Sequence, residues 1–506
     1  MSTKNSFSLN PYFVVRRLAL AVAAISAVAV ISACSRDGDA LHASAKTLSV
    51  TELKSIEFSG SGHWYQFGQA PSPTSAWPQF DVSNYTATIN YENPAAHVQI
   101  TRLQTIEAGR VRPAPVEQKP DQYVSGALAW NLAPPAGAPA GTAPTAQIQP
   151  AAVDERITEI WTTPQGFIKA ALANNATQKS IEGGGATIEF NVGKIHYEGS
   201  VNAKNKIDQV KTWIDTPVLG DTLIEYTYSD YKDFGGVSFP AHILRKQGGY
   251  PVLDLNVAAV KANVGADIPV PAEISQAEAP KVVVASEELA PGVFYLRGGT
   301  HHSLVIDQQD HIVVVEAPLN EERSAAVIAK AKELIPGKPI TYLINTHQHF
   351  DHSGGLRTYV DEGATIVTHE LNKPYYEKIW AAPRTINPDR LAASKRPAKF
   401  ETFTDKYVLK DAARPIEVHQ IAGSGHDDAF ALVYLPAQKI LSEADAYTPL
   451  AANAPRPASV NPYSVNLYDN IRRLKLDVNQ IAALHGPGVV KLADLQEAIG
   501  EKTASN

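Results

Sequence analysis

The sequence predicts the α/β fold class, with an α/β domain in the second half of the chain that is preceded by a separate, mainly antiparallel β domain. Residues 48–265 alternate apolar and polar side chains, as in NYTATINYE, which is typical of antiparallel strands. Residues 266–284 are proline-rich and predict a linker. In residues 285–506, the apolar strand PITYLIN leads into a polar loop and then LRTYVDEGA, which has helical apolar spacing.

The amino terminus has the features of an exported protein. Arg16 and Arg17 precede an apolar run, residues 18–33, that is short for a membrane span and has the order of a secretory signal. The stretch ISAC, which ends at Cys34, resembles the bacterial lipobox. That resemblance implies that Cys34 becomes the lipid-modified first residue of the mature chain.

The same resemblance implies a location. Ser35 after the cysteine favours an outer membrane lipoprotein that faces the periplasm or the cell surface. Residues 1–33 would be the signal peptide, and residues 34–47 a flexible, lipid-anchored tether to the membrane. A simple uncleaved membrane anchor is the alternative. Cys34 is the single cysteine, which excludes an intramolecular disulfide and a cysteine nucleophile or metal ligand.

The predicted β domain contains the turn signals NAKN, GGG and DFGG between its alternating segments. Its stretch LIEYTYSDYKDFGGVSFPAHILRK weakly resembles periplasmic lipoprotein-carrier folds. The chain as a whole has 44% hydrophobic and 19% charged residues, which is typical of a globular protein. Its net charge of −7, without a basic run interleaved with aromatics, gives no electrostatic case for nucleic acid.

One short loop carries an unusual density of ligand-type side chains. THQHFDHSGG places His347, His349, Asp351 and His352 within six positions, although the chain has 15 histidines in 506 residues. The loop follows a predicted strand, and α/β folds place their sites at the carboxyl ends of strands. Imidazole and carboxylate together suit zinc, or else iron or manganese. A solvated polar loop is the alternative.

The residues HQHFDH resemble the HxHxDH signature of the metallo-beta-lactamase superfamily. Three later residues follow apolar runs in the order of that family's remaining ligands: His426 in IAGSGHDD, Asp445 in SEADAY and His485 in IAALHGPG. The resemblance covers roughly residues 285 to 495, and it implies an αββα sandwich.

The resemblance also implies a metal centre with two zinc ions. By family order, the first ion is held by His347, His349 and His426, the second by Asp351, His352 and His485, and Asp445 bridges them. The implied reaction is the attack of a metal-bound hydroxide on the carbonyl of a small-molecule ester, lactone, thioester or amide. Asp351 is also expected to be catalytic, because it would hydrogen-bond to the attacking hydroxide.

Four further residues are candidates for contact with the substrate. Tyr447, two positions after the bridging aspartate, is a catalytic candidate that could steady the carbonyl oxygen. His302 lies on a hairpin loop that flanks the site in relatives. Tyr376 and Trp380 belong to an aromatic-rich segment, LNKPYYEKIWAAPRTINPDRLA, that is expected to overhang the site.

Two other functions are open at this point. The first is a mononuclear iron oxygenase of the same superfamily, which metal analysis would separate from a zinc hydrolase. The second is a non-catalytic lipoprotein whose β domain binds a hydrophobic ligand, although the complete set of seven ligand-type residues counts against it. If residues 266–284 are a true linker, residues 282–506 alone should fold and bind two metals.

Overall fold

The computed structural model describes residues 39–501 except 136–137, 139–140, 452–453, 455 and 458. The predicted signal peptide and Cys34 lie outside the described residues. Among the helices of the described part, none is long and apolar enough to cross a membrane. Residues Asp39–Asn506 form one compact unit.

The first half of that unit is built mainly from strands. Its helices are α1 (Ala40–Thr47), a 3₁₀ turn (Pro150–Ala152), α2 (Val153–Thr162), α3 (Pro164–Ala173) and α4 (Ala272–Ser275). Its strands are β1 (Ser55–Tyr65), β2 (Gln79–Asn90), β3 (Ala95–Gln104), β4 (Asp121–Ser125), β5 (Leu128–Ala133), β6 (Thr145–Ile148), β7 (Thr177–Ser180), β8 (Gly185–Val192), β9 (Ile195–Asn202), β10 (Ile207–Thr216), β11 (Gly220–Asp233), β12 (Ser238–Gln247) and β13 (Tyr250–Ala262).

These strands form one antiparallel sheet, which confirms the predicted β domain. Within the described residues, the order is β6-β5-β4-β3-β2-β1-β13-β12-β11-β10-β9-β8-β7, so the last strand returns beside the first. The alternation seen in the sequence turns one face of each strand towards a shared apolar core. Ile160 of α2 and Phe167 of α3 are fully buried in that core. The helices therefore cover one face of the sheet.

The expected flexible tether is wrong for its last eight residues, which form α1. Asp39 caps this helix, because its carboxylate accepts a hydrogen bond from the backbone of His42 at 3.1 Å. Leu41 and Ala45, one helical turn apart, are buried in the core of the β domain. The segment is anchored by this apolar stripe.

A small cavity lies between the sheet and the helices of the β domain. The cavity there, bordered by Phe58, Tyr85 and Glu159, measures about 30 Å³. A volume of that size holds on the order of one water molecule. This cavity is therefore too small for a lipid chain, which counts against the hydrophobic-ligand carrier.

The second half of the unit contains both helices and strands. Its helices are α5 (Glu321–Leu334), α6 (Phe350–Ser353), α7 (Leu356–Glu362), α8 (Asn372–Trp380), α9 (Arg390–Ser394), α10 (Pro462–Leu474) and α11 (Leu492–Ala498). Its strands are β14 (Ala285–Ala290), β15 (Val293–Arg297), β16 (Ser303–Asp307), β17 (Ile312–Val315), β18 (Ile340–Ile344), β19 (Thr365–His369), β20 (Lys399–Phe403), β21 (Lys406–Leu409), β22 (Ile416–Gln420), β23 (Ala431–Leu435), β24 (Ile440–Glu443), β25 (Gln480–Ala483) and β26 (Val490–Lys491).

The strands of this half form two sheets that pack face to face, as the predicted αββα sandwich requires. In the described part, one sheet runs from β14 to β20 and the other from β21 to β26, each in chain order. Val313 and Val315 of β17 lie in the core between the sheets, whereas Val314 faces the helices α5 and α7. Because both faces of such a strand are covered, it is apolar throughout rather than alternating.

The β domain and the sandwich contact each other on two sides. The loop between β1 and β2 places Gly68 against Phe350, whose backbone N–H donates to the Gly68 carbonyl at 3.1 Å. Gly68 has φ +75°, and a Cβ there would lie 2.4 Å from the Phe350 ring. Elsewhere, Arg384 donates to the carbonyls of Pro217 and Val218, both at 2.9 Å. The predicted linker is therefore not the sole connection between the two halves.

Candidate metal centre

The ligand-rich loop begins where β18 ends, beside the parallel strand β17. Glu316 follows β17 with φ +72°, and its carboxylate accepts from the Thr346 backbone N–H at 2.6 Å. The second oxygen of Glu316 lies 2.7 Å from Nδ1 of His352. Glu316 is fully buried, and it orients His352 so that Nε2 points away, towards the centre. The sequence did not single out Glu316.

The loop turns into α6 at Phe350. His347 and His349 lie on the extended part, and Asp351 and His352 on the helical turn. This change of backbone conformation lets adjacent residues reach two different positions.

The first group of potential ligands has nitrogen and oxygen atoms that all lie within 4.8 Å of one another. It consists of His347, His349, His426 and Asp445. Nε2 of His347 lies 3.3 Å from Nε2 of His426 and 3.3 Å from Oδ2 of Asp445. The structure thus brings together the three histidines assigned to the first metal and the aspartate assigned as the bridge.

The second group, which meets the same 4.8 Å limit, contains one residue more than the sequence predicted. It consists of His301, Asp351, His352 and His485. Nε2 of His485 lies 3.0 Å from Nε2 of His352, and Nε2 of His301 lies 3.2 Å from Oδ2 of Asp351. His301 and His485 also form an isolated antiparallel β-bridge, which fixes their side chains next to each other.

Asp445 stands between the two groups. Its Oδ2 lies 2.9 Å from Nε2 of His352 and 3.2 Å from Nε2 of His426, and its Oδ1 lies 2.9 Å from Nε2 of His485. Asp445 also has φ +62°, a left-handed conformation that costs a non-glycine residue on the order of 1 kcal/mol. Oδ2 therefore contacts histidines of both groups and Oδ1 contacts a histidine of the second group, an arrangement that suits a bridging ligand.

The donor atoms fit a divalent cation. Nδ1 of His349 is buried and has no hydrogen-bond partner among the described residues, while Nε2 of the same ring lies 3.0 Å from the carbonyl of Ala70. Since the Ala70 carbonyl can only accept, the ring proton lies on Nε2 and the lone pair of Nδ1 faces the first group. An orphaned imidazole lone pair among histidines and a carboxylate suits zinc or a similar metal.

The charges of the site also favour a cation. Burial lowers the pKa of His347 to about 4, which keeps its imidazole neutral. Burial acts in the same sense on His352, but the carboxylates of Asp445 and Asp351 outweigh it and raise the pKa of His352. Burial opposes ionisation of Asp351, yet His352 and His301 hold the pKa of Asp351 well below its usual range. Burial also opposes ionisation of Asp445, but His352, His347 and His426 hold the pKa of Asp445 well below its usual range, so both aspartates are anionic.

The sequence model of the metallo-beta-lactamase superfamily matches residues 296–446, which contain the ligands from His301 to Asp445. Residues 296–446 form a metallo-beta-lactamase superfamily domain. Members of this superfamily are typically hydrolases. His485 lies beyond the matched residues, and it contacts them through the antiparallel β-bridge that it forms with His301.

One curated relative is a linear primary-alkylsulfatase from Pseudomonas sp., 29% identical over 76 residues, which is 15% of this chain and 11% of the sulfatase. Among solved structures, a metallo-beta-lactamase from Pontibacter korlensis has a TM-score of 0.33 and 19% identity, over 43% of this chain and 98% of that protein. The flavodiiron protein from Giardia intestinalis has a TM-score of 0.33 and 17% identity, over 44% of this chain and 59% of that protein.

The β domain supplies contacts to the ligands of the metallo-beta-lactamase domain. Gln69 donates from Nε2 to Oδ1 of Asp351 at 2.8 Å. The Ala70 carbonyl accepts from Nε2 of Gln348 at 2.9 Å in addition to its contact with His349. Such partners fix the orientation of metal ligands. Sequence reasoning missed both residues, because they lie about 280 positions before the ligands they contact and belong to no motif.

His302, which was predicted to contact the substrate, does not face the ligand groups. His302 is buried, and its Nε2 lies 2.8 Å from the Gly486 carbonyl, while its Nδ1 accepts from the Gly298 N–H at 3.3 Å. His301 is the member of the pair that faces the second group. Successive residues of an extended chain point to opposite sides, and the sequence did not show which of the two faces the site.

The aromatic residues of α8 do not line the site. Tyr376 is fully buried in the core under the first sheet and donates to Oδ1 of Asn345 at 2.6 Å. Trp380 stacks on Tyr376 and borders a cavity of about 500 Å³ next to Arg357, away from the ligands. Their spacing is that of a helix packed on a core, so the expected substrate contacts are replaced by structural ones.

Tyr447 is also placed away from the ligands, although it directly follows the Asp445 turn. It is buried in the core beneath the second sheet and borders a separate cavity with Asn461 and Asp494. Tyr463, on α10, is a tyrosine that does lie beside the ligands. The Tyr463 ring lies 5.3 Å from the His426 ring, centroid to centroid. Nothing in the local sequence marks Tyr463.

A cavity of about 300 Å³ opens directly onto His349 and His426. One wall is Tyr463 of the sandwich. The remaining wall comes from the end of β3 and from two loops of the β domain: Gln66, Gln69, Pro78, Gln104, Arg112, Pro113, Ala114, Pro115, Val116 and Gln118. Its volume is at the lower end of the range for small-molecule sites, ~300–1,000 Å³. The cavity therefore suits a small molecule.

Proposed function

We propose that this protein is a binuclear zinc hydrolase that cleaves a small-molecule ester, lactone, thioester or amide. The observation that carries the proposal is the pair of ligand groups that share Asp445 and open onto a cavity at His349 and His426. Two metals bound there would supply an activated water and would polarise the scissile carbonyl. Seven imidazole and carboxylate ligands from the sequence, with His301 as an eighth, support two ions rather than one.

The chain's own residues have separate tasks in this proposal. Asp351 is ionised, and Gln69 on Oδ1 and His301 on Oδ2 fix the orientation of its carboxylate. In this proposal the carboxylate accepts a hydrogen bond from the attacking water and then its proton. The rings of His347 and His349 are neutral, so each can offer a nitrogen lone pair to the first metal. Tyr463 lies beside His426 at the cavity, where its hydroxyl group can contact a bound carbonyl compound.

We further propose that the mature protein begins at Cys34 and is anchored to the outer membrane by lipid. The support for this is the order of basic residues, apolar run and ISAC in the sequence. More than one acyl chain would be needed, because a single chain binds membranes only marginally.

Metal analysis and a substrate panel together test the proposal. Protein purified without added metal should contain zinc, and two equivalents should bind per chain; iron as the bound metal would favour an oxygenase instead. The panel contains aryl esters, thioesters, lactones, nitrocefin and, because of the sulfatase relative, an alkyl sulfate.

The variant Asp445→Asn should lose both metal binding and hydrolysis. The matched control Asp477→Asn, at a surface aspartate with 72% side-chain exposure, should keep both. Hydrolysis of the alkyl sulfate alone would contradict the carbonyl assignment, and hydrolysis of no compound by the zinc-loaded protein would contradict the proposed function.

A further inference from the structure

The wall that the β domain contributes to the active-site cavity has no uncompensated charge. Among the described residues that line it, Arg112 is the one charged side chain apart from the histidine ligands. Its guanidinium donates to Oε2 of Glu107 from Nε at 3.2 Å and from Nη2 at 3.0 Å. Arg110 is shared in the same way between Glu107 and Asp428. The positive charges of Arg110 and Arg112 are therefore balanced by the negative charges of Glu107 and Asp428.

The rest of the wall is apolar or carries neutral amides. Pro78, Pro113 and Val116 supply apolar surface. Gln66 and Gln104 also line the cavity, and in the described part of the chain their side-chain amides bind to no other group. An unpartnered amide offers both a donor and an acceptor, and it pairs with neutral polar groups.

We infer that this wall is the specificity subsite of the enzyme and that it takes an uncharged substrate, with an apolar substituent and at most neutral hydrogen-bonding groups. The inference rests on the proposed hydrolase function. A carboxylate placed against this wall would lose water without gaining a free cation from the wall, because Glu107 already occupies Arg112. Selectivity is therefore set by the β domain, while the ligands for the reaction come from the sandwich.

The inferred preference of the subsite for an uncharged substrate is called the charge rule below. Two esters that differ only at the far end of the acyl chain test it. Phenyl butyrate ends in a methyl group, and monophenyl succinate ends in a carboxylate. The parent enzyme should prefer the butyrate by about tenfold or more in kcat/KM, since burial of an unpaired carboxylate is unfavourable. The ratio of kcat/KM values is unaffected by non-productive binding of either ester at the metals. Preference for the succinate would overturn the inference.

The variant Glu107→Gln should release Arg112 for the substrate. The kcat/KM for monophenyl succinate should rise by about tenfold, the worth of a charged hydrogen bond, and the value for phenyl butyrate should stay the same. The control Glu117→Gln lies in the same loop, where Glu117 pairs with Lys119 and does not line the cavity. It should leave both values unchanged. An unchanged ratio in Glu107→Gln would overturn the charge rule.

A binding measurement separates this inference from the proposed function. Butyrophenone, a ketone that resembles the ester but cannot be hydrolysed, should bind to the metal-loaded parent and not to Val116→Trp, which narrows the cavity. Ile106→Trp places a tryptophan in the same loop at an exposed residue outside the cavity wall, and this variant should bind butyrophenone normally. If butyrophenone bound to the parent and not to Val116→Trp, but no ester were hydrolysed, the proposed reaction would be wrong and the subsite would still stand. Equal binding by all three proteins would overturn the subsite.

Discussion

Replacing Gln69 by leucine tests whether the β domain helps to hold the metal centre. The variant removes the donor at 2.8 Å from Oδ1 of Asp351 without changing any residue of the metallo-beta-lactamase domain. A hydrogen bond to a charged group contributes about 1.5–3 kcal/mol, which corresponds to roughly 10–100-fold in affinity. The side chain of Asp351 is 33% exposed, so water can replace part of the lost interaction. We therefore expect about tenfold weaker binding of the second metal.

Competition with a chromophoric chelator, carried out on metal-free protein, measures the two affinities separately. The first metal should bind as in the parent, because the side chain of Gln69 donates its hydrogen bond to Asp351 of the second group. Gln66→Leu is a matched control: it makes the same change in the same loop, at a side chain that hydrogen-bonds to no described group. It should alter substrate recognition without altering metal affinity.

Two results would refute this reasoning. If Gln69→Leu bound both metals within about threefold of the parent, the contact would contribute nothing to the orientation of Asp351. If Gln66→Leu weakened the second metal equally, the effect would come from a general disturbance of the loop.

Four further predictions follow from the described contacts. Asp351→Asn should keep the first metal and lose most of the second, and turnover should fall by about 10²–10⁴ in a single-turnover assay read beside metal content; two retained metals with near-parental rates would contradict its role. Tyr376→Phe should lower the free energy of unfolding by about 1–3 kcal/mol in urea titrations, because Asn345 loses a buried donor, and should leave kcat/KM unchanged, unlike a substrate contact. Cys34→Ala protein should leave the membrane fraction on cell fractionation, and full retention would favour an uncleaved anchor. The fragment 282–506 should bind metal more weakly than the whole chain and lose the selectivity between phenyl butyrate and monophenyl succinate, whereas a fragment with full affinity and selectivity would show that the β domain is a separate module.

The ligands could be predicted from the sequence because they are local in sequence or follow strand ends in a fixed order. His347 to His352 occupy one loop, and the structure brings His426, Asp445 and His485 to it. His301 could not be separated from His302, because two adjacent residues at a strand edge differ only in the side to which they point. The fold class could be predicted because the period of the apolar residues reports directly on the burial of each strand face.

The substrate contacts could not be predicted because aromatic residues serve cores and cavities equally well. Tyr376 and Trp380 have the spacing of a buried helix face, and the structure buries that face. Tyr463 has no neighbouring motif, and its place at the cavity depends on the packing of α10 beneath the second sheet. Side-chain type indicates chemistry, but only the tertiary structure shows which side chain is reachable.

The contacts between the domains explain why a proline-rich linker does not establish independence. A proline-rich segment indicates only the local structure of the backbone. Whether one domain depends on another is decided by contacts between residues that are far apart in the sequence. Gly68 has no side chain where Phe350 packs, and the Ala70 carbonyl fixes the proton of His349 on Nε2. Without the β domain, His349 would lose this acceptor and either ring nitrogen could carry the proton, so part of the population would present no lone pair at Nδ1. The β domain thus acts on the metal centre through the tautomer of a ligand, and it acts on the substrate through the wall around Arg112.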